Sequence, residues 1–363
     1  MTTSQSPVAG HVSAQRPGPE AIRAAVAAHP ERRERDLARD LGVSEAELVA
    51  AFCGEGVIRL TPSLSGICNG MKAMGEVMAL TRNESAVHEK IGPFEKFVDG
   101  SRAAMMLGSA IDTRMFPSHW VHAFAVEKPG ESGPRRSIQV FDAHGDAVHK
   151  IHLRATSDVA AFEALVKDLT HADQSAGLGV VPVAALRPER PALDTSKAAE
   201  LRRRWSAMTD THQFFGLLRD MDLHRLNAFE LVGEEWAWKV DGDAVRAMMR
   251  LAADNDIPIM CFVGSRGCIQ IHSGPVSQIK EMGPWINVLD PTFHLHLRLD
   301  HIAEVWAVRK NADNGHVTSL EAFDADGQQI IQFFGLRKEG REERSDWRDL
   351  IEHLPRVGQL AVA

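Results

Sequence analysis

The densest run of chemistry-bearing side chains is Met208-Thr-Asp-Thr-His-Gln-Phe-Phe-Gly-Leu-Leu-Arg219. Thr209 or Asp210 can cap a helix start, which would place His212 in the first turn. At helical spacing His212, Phe215 and Arg219 then share one face. A neutral imidazole ligates iron, an aromatic ring packs on a flat surface and a guanidinium pairs with carboxylates. Together the three suit a planar, anionic, iron-bearing ring. The same spacing also suits an amphipathic helix with an ordinary solvated histidine, and the run alone does not separate the two.

A second cluster, Ile111-Asp-Thr-Arg-Met-Phe116, puts Asp112, Arg114 and Phe116 on one face if it is extended. Arg114 and Phe116 could cover the far side of a planar ligand; alternatively, Arg114 simply pairs with Asp112 at the surface. In His294-Leu-His-Leu-Arg-Leu-Asp-His301, alternation aligns His294, His296 and Arg298, while His301 has the opposite parity. Two same-face histidines can begin a zinc or iron site, but no third ligand is evident on that face. A partly solvated polar sheet face is the plainer reading.

Other chemistry is missing from the sequence. There is no G-x-S-x-G elbow, no phosphate loop of the G-x-x-x-x-G-K-[ST] type and no dinucleotide fingerprint after a strand. The chain has no tyrosine, so no step can use a phenol. Its cysteines, Cys53, Cys68, Cys261 and Cys268, lack C-x-x-C spacing and read as reduced thiols.

The elements that must carry these residues repeat. Phe141-Asp-Ala-His-Gly145 recurs as Phe323-Asp-Ala-Asp-Gly327, 182 residues on, and Phe124-Ala-Val-Glu-Lys128 recurs at the same offset as Trp306-Ala-Val-Arg-Lys310. A shift of 184 sets Arg82 against Arg266 and His88 against His272, and one of 179 sets Arg33 opposite His212. The chain therefore reads as a tandem repeat, with the histidine in one copy only. Helical composition at 20–29, 31–41, 157–170 and 195–208 alternates with strand-like runs at 77–80, 119–126, 137–141, 258–263, 267–272, 286–289, 293–298, 302–309, 317–323 and 329–334. The expected fold is α+β: each half has a helical N-terminal piece and a large antiparallel β-sheet, with a ligand cleft between the halves. The divisions expected are a disordered tail at 1–20, repeats at 21–170 and 196–355, a linker at 171–195 and a tail at 356–363.

A net charge of −8 disfavours non-specific nucleic-acid or anionic-lipid binding. Residues 31–50 superficially resemble a helix-turn-helix, with Ser44 and Glu47 as a capping box, so a DNA-binding regulator is one alternative. The first twenty residues lack a signal-peptide core and no apolar run is long enough to span a membrane, so a cytoplasmic protein is expected.

The Met208–Arg219 run resembles the cytoplasmic haemin-trafficking and haemin-degrading factors of bacterial haem uptake, the HemS/HmuS type. So do Phe262-Val-Gly-Ser-Arg-Gly-Cys-Ile-Gln-Ile-His-Ser-Gly-Pro275, Gly283-Pro-Trp-Ile-Asn-Val-Leu-Asp290 and the run from Gly315 to Gly327. In the first half the resemblance rests on the segments from Arg35 to Leu48, Asp112 to Phe116 and Phe141 to Lys150. It implies haem b, as ligand or substrate, lying between two large sheets. It also implies His212 as axial iron ligand, Arg114 opposite it, Phe116 beside the ring, Arg225 towards a propionate, and Lys310, Phe334 and Arg337 at the remaining edge. Where the family pattern has Tyr-Gly-Gln-Arg, this chain has Phe334-Gly335-Leu336-Arg337, so two polar groups at that edge are replaced by apolar ones. The implied partners are a haem importer and a haem oxygenase. Both delivery of haem and its oxygenase-like degradation fit the resemblance.

Overall fold

A computed structural model describes residues 16–182, 190–313, 315–337 and 342–357. The helices are α1 (Pro19–Ala28), α2 (Glu34–Asp40), α3 (Glu45–Ala50), α4 (Leu64–Met71), α5 (Val159–Leu169), α6 (Ala198–Ser206), α7 (Gln213–Asp220), α8 (Arg225–Val232), α9 (Ala244–Asp254) and α10 (Ser345–Glu352). The first-half strands are β1 (Val57–Leu60), β2 (Glu76–Arg82), β3 (Ala86–Pro93), β4 (Lys96–Val98), β5 (Ala104–Leu107), β6 (Asp112–Met115), β7 (His122–Lys128), β8 (Arg135–Phe141) and β9 (Ala147–Leu153). The second half supplies β10 (Ala237–Val240), β11 (Ile259–Gly264), β12 (Cys268–Gly274), β13 (Ile279–Met282), β14 (Trp285–Asp290), β15 (Phe293–Arg298), β16 (Glu304–Ala312), β17 (Gly315–Phe323) and β18 (Gln329–Gly335).

The expected α+β repeat with two large antiparallel sheets is present, and it has a feature the sequence did not announce. Sheet one runs β1-β7-β8-β9-β2-β3-β15-β14-β13 and sheet two runs β10-β16-β17-β18-β11-β12-β6-β5-β4. Each nine-stranded sheet thus takes its last three strands from the other half. Strands from each repeat cross into the sheet of the other, on both sides of the join expected at 171–195. Residues 1–15 of the expected first tail, 183–189 of the expected linker and 358–363 of the expected last tail lie outside the described residues, and α1 takes in Pro19 and Glu20, the last two residues of the expected first tail.

The repeated sentence proves to be a repeated hairpin. Gly145 and Gly327 adopt φ 81° and 74°, and each donates its N–H to the carbonyl of Asp142 or Asp324 at 3.0 Å. The register shifts at Val140/Phe141 and again at Ala322/Phe323, so both turns close with a bulge. Positive φ is what a glycine permits there.

The sheets pack through their inner faces. Cys261, Val263, Leu320 and Phe333 of sheet two meet Ile286, Val288, Leu295 and Leu297 of sheet one, with α9 and α10 closing that core. Thr81 donates to Gln270 Oε1 at 2.9 Å and Gln270 donates to the Ala79 carbonyl at 2.8 Å, tying β2 to β12 across the layers. On the outer faces α3 covers Phe124, Val126 and Phe141, and α6–α8 cover Trp306, Val308 and Phe323. The strand expected over 119–126 begins only at His122: Pro117 starts a short turn, and Trp120 Nε1 donates to the Gly267 carbonyl at 3.1 Å.

Candidate functional site

Registers place one row of side chains on the outer face of sheet two. Lys310, Ser319 and Phe334 share this face, as do Glu321, Gln332 and Phe262. It continues through Ile269 and Ile271 to Arg114 and Asp112, and through Met105 to β5. Helices α6–α8 cover only the Trp306 end. Beyond them Met105, Leu107, Met260, Phe262, Ile269 and Phe334 are half-buried, and Phe262 meets Phe334 edge-on at 5.1 Å. An apolar sheet face left partly uncovered suits a flat apolar ligand. Strand exchange makes this floor: Met105, Leu107 and Arg114 come from the first half and the rest from the second.

Helix α7 stands over one end. It begins at Gln213, one residue later than the spacing suggests, so His212 is the N-cap rather than part of the first turn. The reason is Asp210, whose Oδ1 accepts the His212 backbone N–H at 2.8 Å and meets His212 Nδ1 at 2.7 Å. His212 is 86% exposed and Phe215 60% exposed, while Phe214 is buried between them and the sheet. Arg219, also exposed, extends that face. Arg33 N-caps α2 as His212 N-caps α7, so the 179-residue correspondence holds in the structure.

Beneath α7 lies a charged cluster. Glu321, wholly buried, accepts from Lys310 Nζ at 2.7 Å, Ser319 Oγ at 2.8 Å and Gln329 Nε2 at 2.9 Å, and forms an ion pair with Arg225 at 2.9 Å. Burial pushes its carboxyl pKa up, but Arg225, Lys310 and the hydrogen bonds outweigh that and hold it at about 2. The Arg225 guanidinium carbon and Lys310 Nζ lie 5.1 and 4.8 Å from the Phe214 ring centre. Both cations expected to face carboxylates are therefore already tied to an internal one.

At the other end Arg114 is half-exposed and pairs with Asp112. Phe116 follows it, its N–H bonded to the Gly267 carbonyl at 2.9 Å. Arg337 sits close enough to Asp210 to help lower its carboxyl pKa, behind the larger effect of the two hydrogen bonds from His212. Sheet two and helices α7 and α8 thus bring His212, Phe215, Arg225, Lys310, Phe334 and Arg337 to one end of this face, with Arg114 on β6 further along it and Phe116 just past that strand. His294 and His296 fall instead on sheet one, bonded to Glu89 at 3.0 Å and Asn287 at 2.7 Å. Among the described residues no group of three or more His, Cys, Asp or Glu side chains is placed to hold a bare metal ion. An open groove of about 640 Å³ between β1, β7 and α5 is bordered by none of the candidates.

Comparison with known proteins now decides the family. A model described as "Haemin-degrading HemS.ChuX domain" matches residues 42–169 and again 222–354. The chain belongs to this family. It is 39% identical over 331 residues to the hemin transport protein HmuS of Yersinia pestis, covering 91% of this chain and 95% of that one. Among solved structures, the heme-binding protein PhuS of Pseudomonas aeruginosa in its holo form is 43% identical with a TM-score of 0.88, over 93% of this chain and 98% of that one. The heme degrading enzyme ChuS of Escherichia coli O157:H7 is 35% identical with a TM-score of 0.85, over 93% and 100%.

In this family member two groups escaped sequence reasoning: the apolar floor and Glu321. Glu321 was findable, because the 182-residue offset aligns Lys310 with Lys128 and Ser319 with Ser137 but Glu321 with Gln139. The acid is specific to the repeat that carries the histidine. The regulator alternative gains nothing from the structure. Five of the six α3 residues are buried, and Glu45 pairs with Lys150 and Arg82 instead of facing outward. Among the described residues no helix is long and apolar enough to cross a membrane.

Proposed function

We propose that this protein binds haem b over the outer face of sheet two and not between the sheets, whose inner faces are packed against each other, accepting imported haem in the cytoplasm and delivering it for breakdown and iron release. The observation that carries the reading is the half-buried apolar floor built from both halves, with an exposed imidazole at one end and a guanidinium at the other. The residues fit the group in kind: apolar side chains for the macrocycle, a neutral nitrogen donor for iron and cations near the rim for propionates.

Bound haem would supply the redox-active iron that both delivery and degradation concern. His212 would hold the iron through its imidazole and Phe215 would pack against the macrocycle. A guanidinium offers N–H donors and no acceptor, so Arg114 would hydrogen-bond to a group carried by the haem and would not ligate the iron. Arg337 is the cation most available to a propionate, while Arg225 and Lys310 act through the positive field left after Glu321. The exposure of His212 suits handover, because the donor can be reached without unfolding its helix.

A second reading, oxygenase-like opening of the macrocycle by this protein itself, is favoured by the 35% identity to a protein described as a heme degrading enzyme. Its donor on the far face would be Arg114. Incubating the haem complex aerobically with reductant, with and without catalase, decides between them. Intact haem that transfers to an added haem oxygenase supports delivery from an importer to an oxygenase. Conversion to a linear tetrapyrrole that catalase does not suppress supports the enzyme. A gel shift at low salt is expected to show no stable nucleic-acid complex.

A further inference from the structure

We propose that Asp210 is a positioning residue that fixes His212 as the Nδ1–H tautomer and presents Nε2 as a free, electron-rich donor. The inference rests on the reading of His212 as the iron ligand. An ionised carboxylate only accepts, so a neutral imidazole 2.7 Å from Asp210 Oδ1 must carry its proton on Nδ1. The hydrogen bond made by one ring nitrogen decides which form the other takes, and an anionic partner raises the basicity of a ligating histidine.

The pair is built into the chain rather than made by chance at a surface. The same Asp210 oxygen accepts the His212 backbone N–H at 2.8 Å, which fixes carboxylate and imidazole to one short turn. That turn is anchored at both ends: the Thr209 carbonyl accepts from Asp313 N at 2.8 Å, and the Thr209 N–H donates to Gln213 Oε1 at 2.9 Å. The corresponding N-cap of the other repeat is Arg33, which offers no imidazole for a carboxylate to orient. The device therefore belongs to the site and not to the fold.

The test needs no catalytic turnover. In the haem-free protein, ¹⁵N NMR of the neutral His212 ring should show protonated Nδ1 and bare Nε2. Asp210→Ala should restore the Nε2–H form that free imidazole prefers. Asp210→Asn keeps an acceptor oxygen without the charge, so it should hold the tautomer. Loaded with haem, both variants should show a lower iron–histidine stretching frequency, a higher midpoint potential and about tenfold weaker ferric haem binding, the usual order for removing such a partner. A wild-type ring that is mainly Nε2–H would overturn the proposal, as would an unchanged stretch and potential in both variants. Failure of the ligand reading looks different: the haem spectrum would then ignore His212→Ala whatever the tautomer.

Discussion

Lys310 Nζ sits 2.7 Å from Glu321 Oε1 with both groups buried beneath Phe214. Removing one member of such a pair leaves a desolvated charge, so Glu321→Gln should destabilise the fold by about 3–5 kcal/mol in denaturant titrations. Because the folded carboxyl is depressed to about 2 from an ordinary 4.5, its stabilisation is full above pH 4.5 and fades as pH falls towards 2. The difference between variant and wild type should shrink over that window. A constant difference would show that Glu321 is not ionised in the native protein.

A second pH effect has its origin in buried histidines: His88, His149 and His272 in the seam between the sheets, and His152 on the outer face of sheet one. Burial, the leading cause in each case, lowers His149 and His152 to about 4 and His272 to about 3, and pushes His88 down as well. The unfolded chain binds protons at these rings below pH 6.5 and the folded one does not until the lower values are reached. Stability should therefore fall as pH drops below 6.5, by roughly 1.4 kcal/mol per unit for each ring that stays neutral. Among the described residues neither ring nitrogen of His88 has a hydrogen-bond partner. His88→Leu should flatten the profile and cost little at neutral pH. Unfolding midpoints at pH 7 and pH 5 provide the check, and equal midpoints in the wild type would contradict the account.

Gly335 faces a different constraint from the one its neighbours suggest. A Cβ there would approach Trp347 Cγ of α10 to 2.6 Å, and Trp347 is fully buried. Gly335→Ala should cost about 1–3 kcal/mol by overpacking. The Soret position of the haem complex should stay unchanged, because the clash lies on the α10 side of β18 and away from Phe334. A shifted Soret band without loss of stability would reverse that assignment.

The repeat was legible because a bulged turn demands the same residues wherever it occurs, so Phe-Asp-Ala-x-Gly appears twice. The exchange of β4–β6 for β13–β15 was not. Two repeats in tandem have the same order of strands whether each keeps its middle three or trades them, and no local pattern records the difference. His212, Phe215 and Arg114 were visible as types that the fold does not require at exposed positions. The consequence of Glu321 for Arg225 and Lys310 was hidden, since a charge 96 residues from one partner and 11 from the other meets both only through sheet pairing and the packing of α8.

The central claim is that an imidazole from the second repeat and a guanidinium from the first address opposite faces of one haem. Titrating haemin into wild-type, His212→Ala and Arg114→Ala proteins, with absorption and resonance Raman spectra at each step, tests it most directly. The account predicts one haem per chain, loss of the iron–histidine signature in His212→Ala, and its retention in Arg114→Ala with an altered signal from the opposite coordination position. An unaltered iron–histidine signature in a folded His212→Ala protein would contradict it.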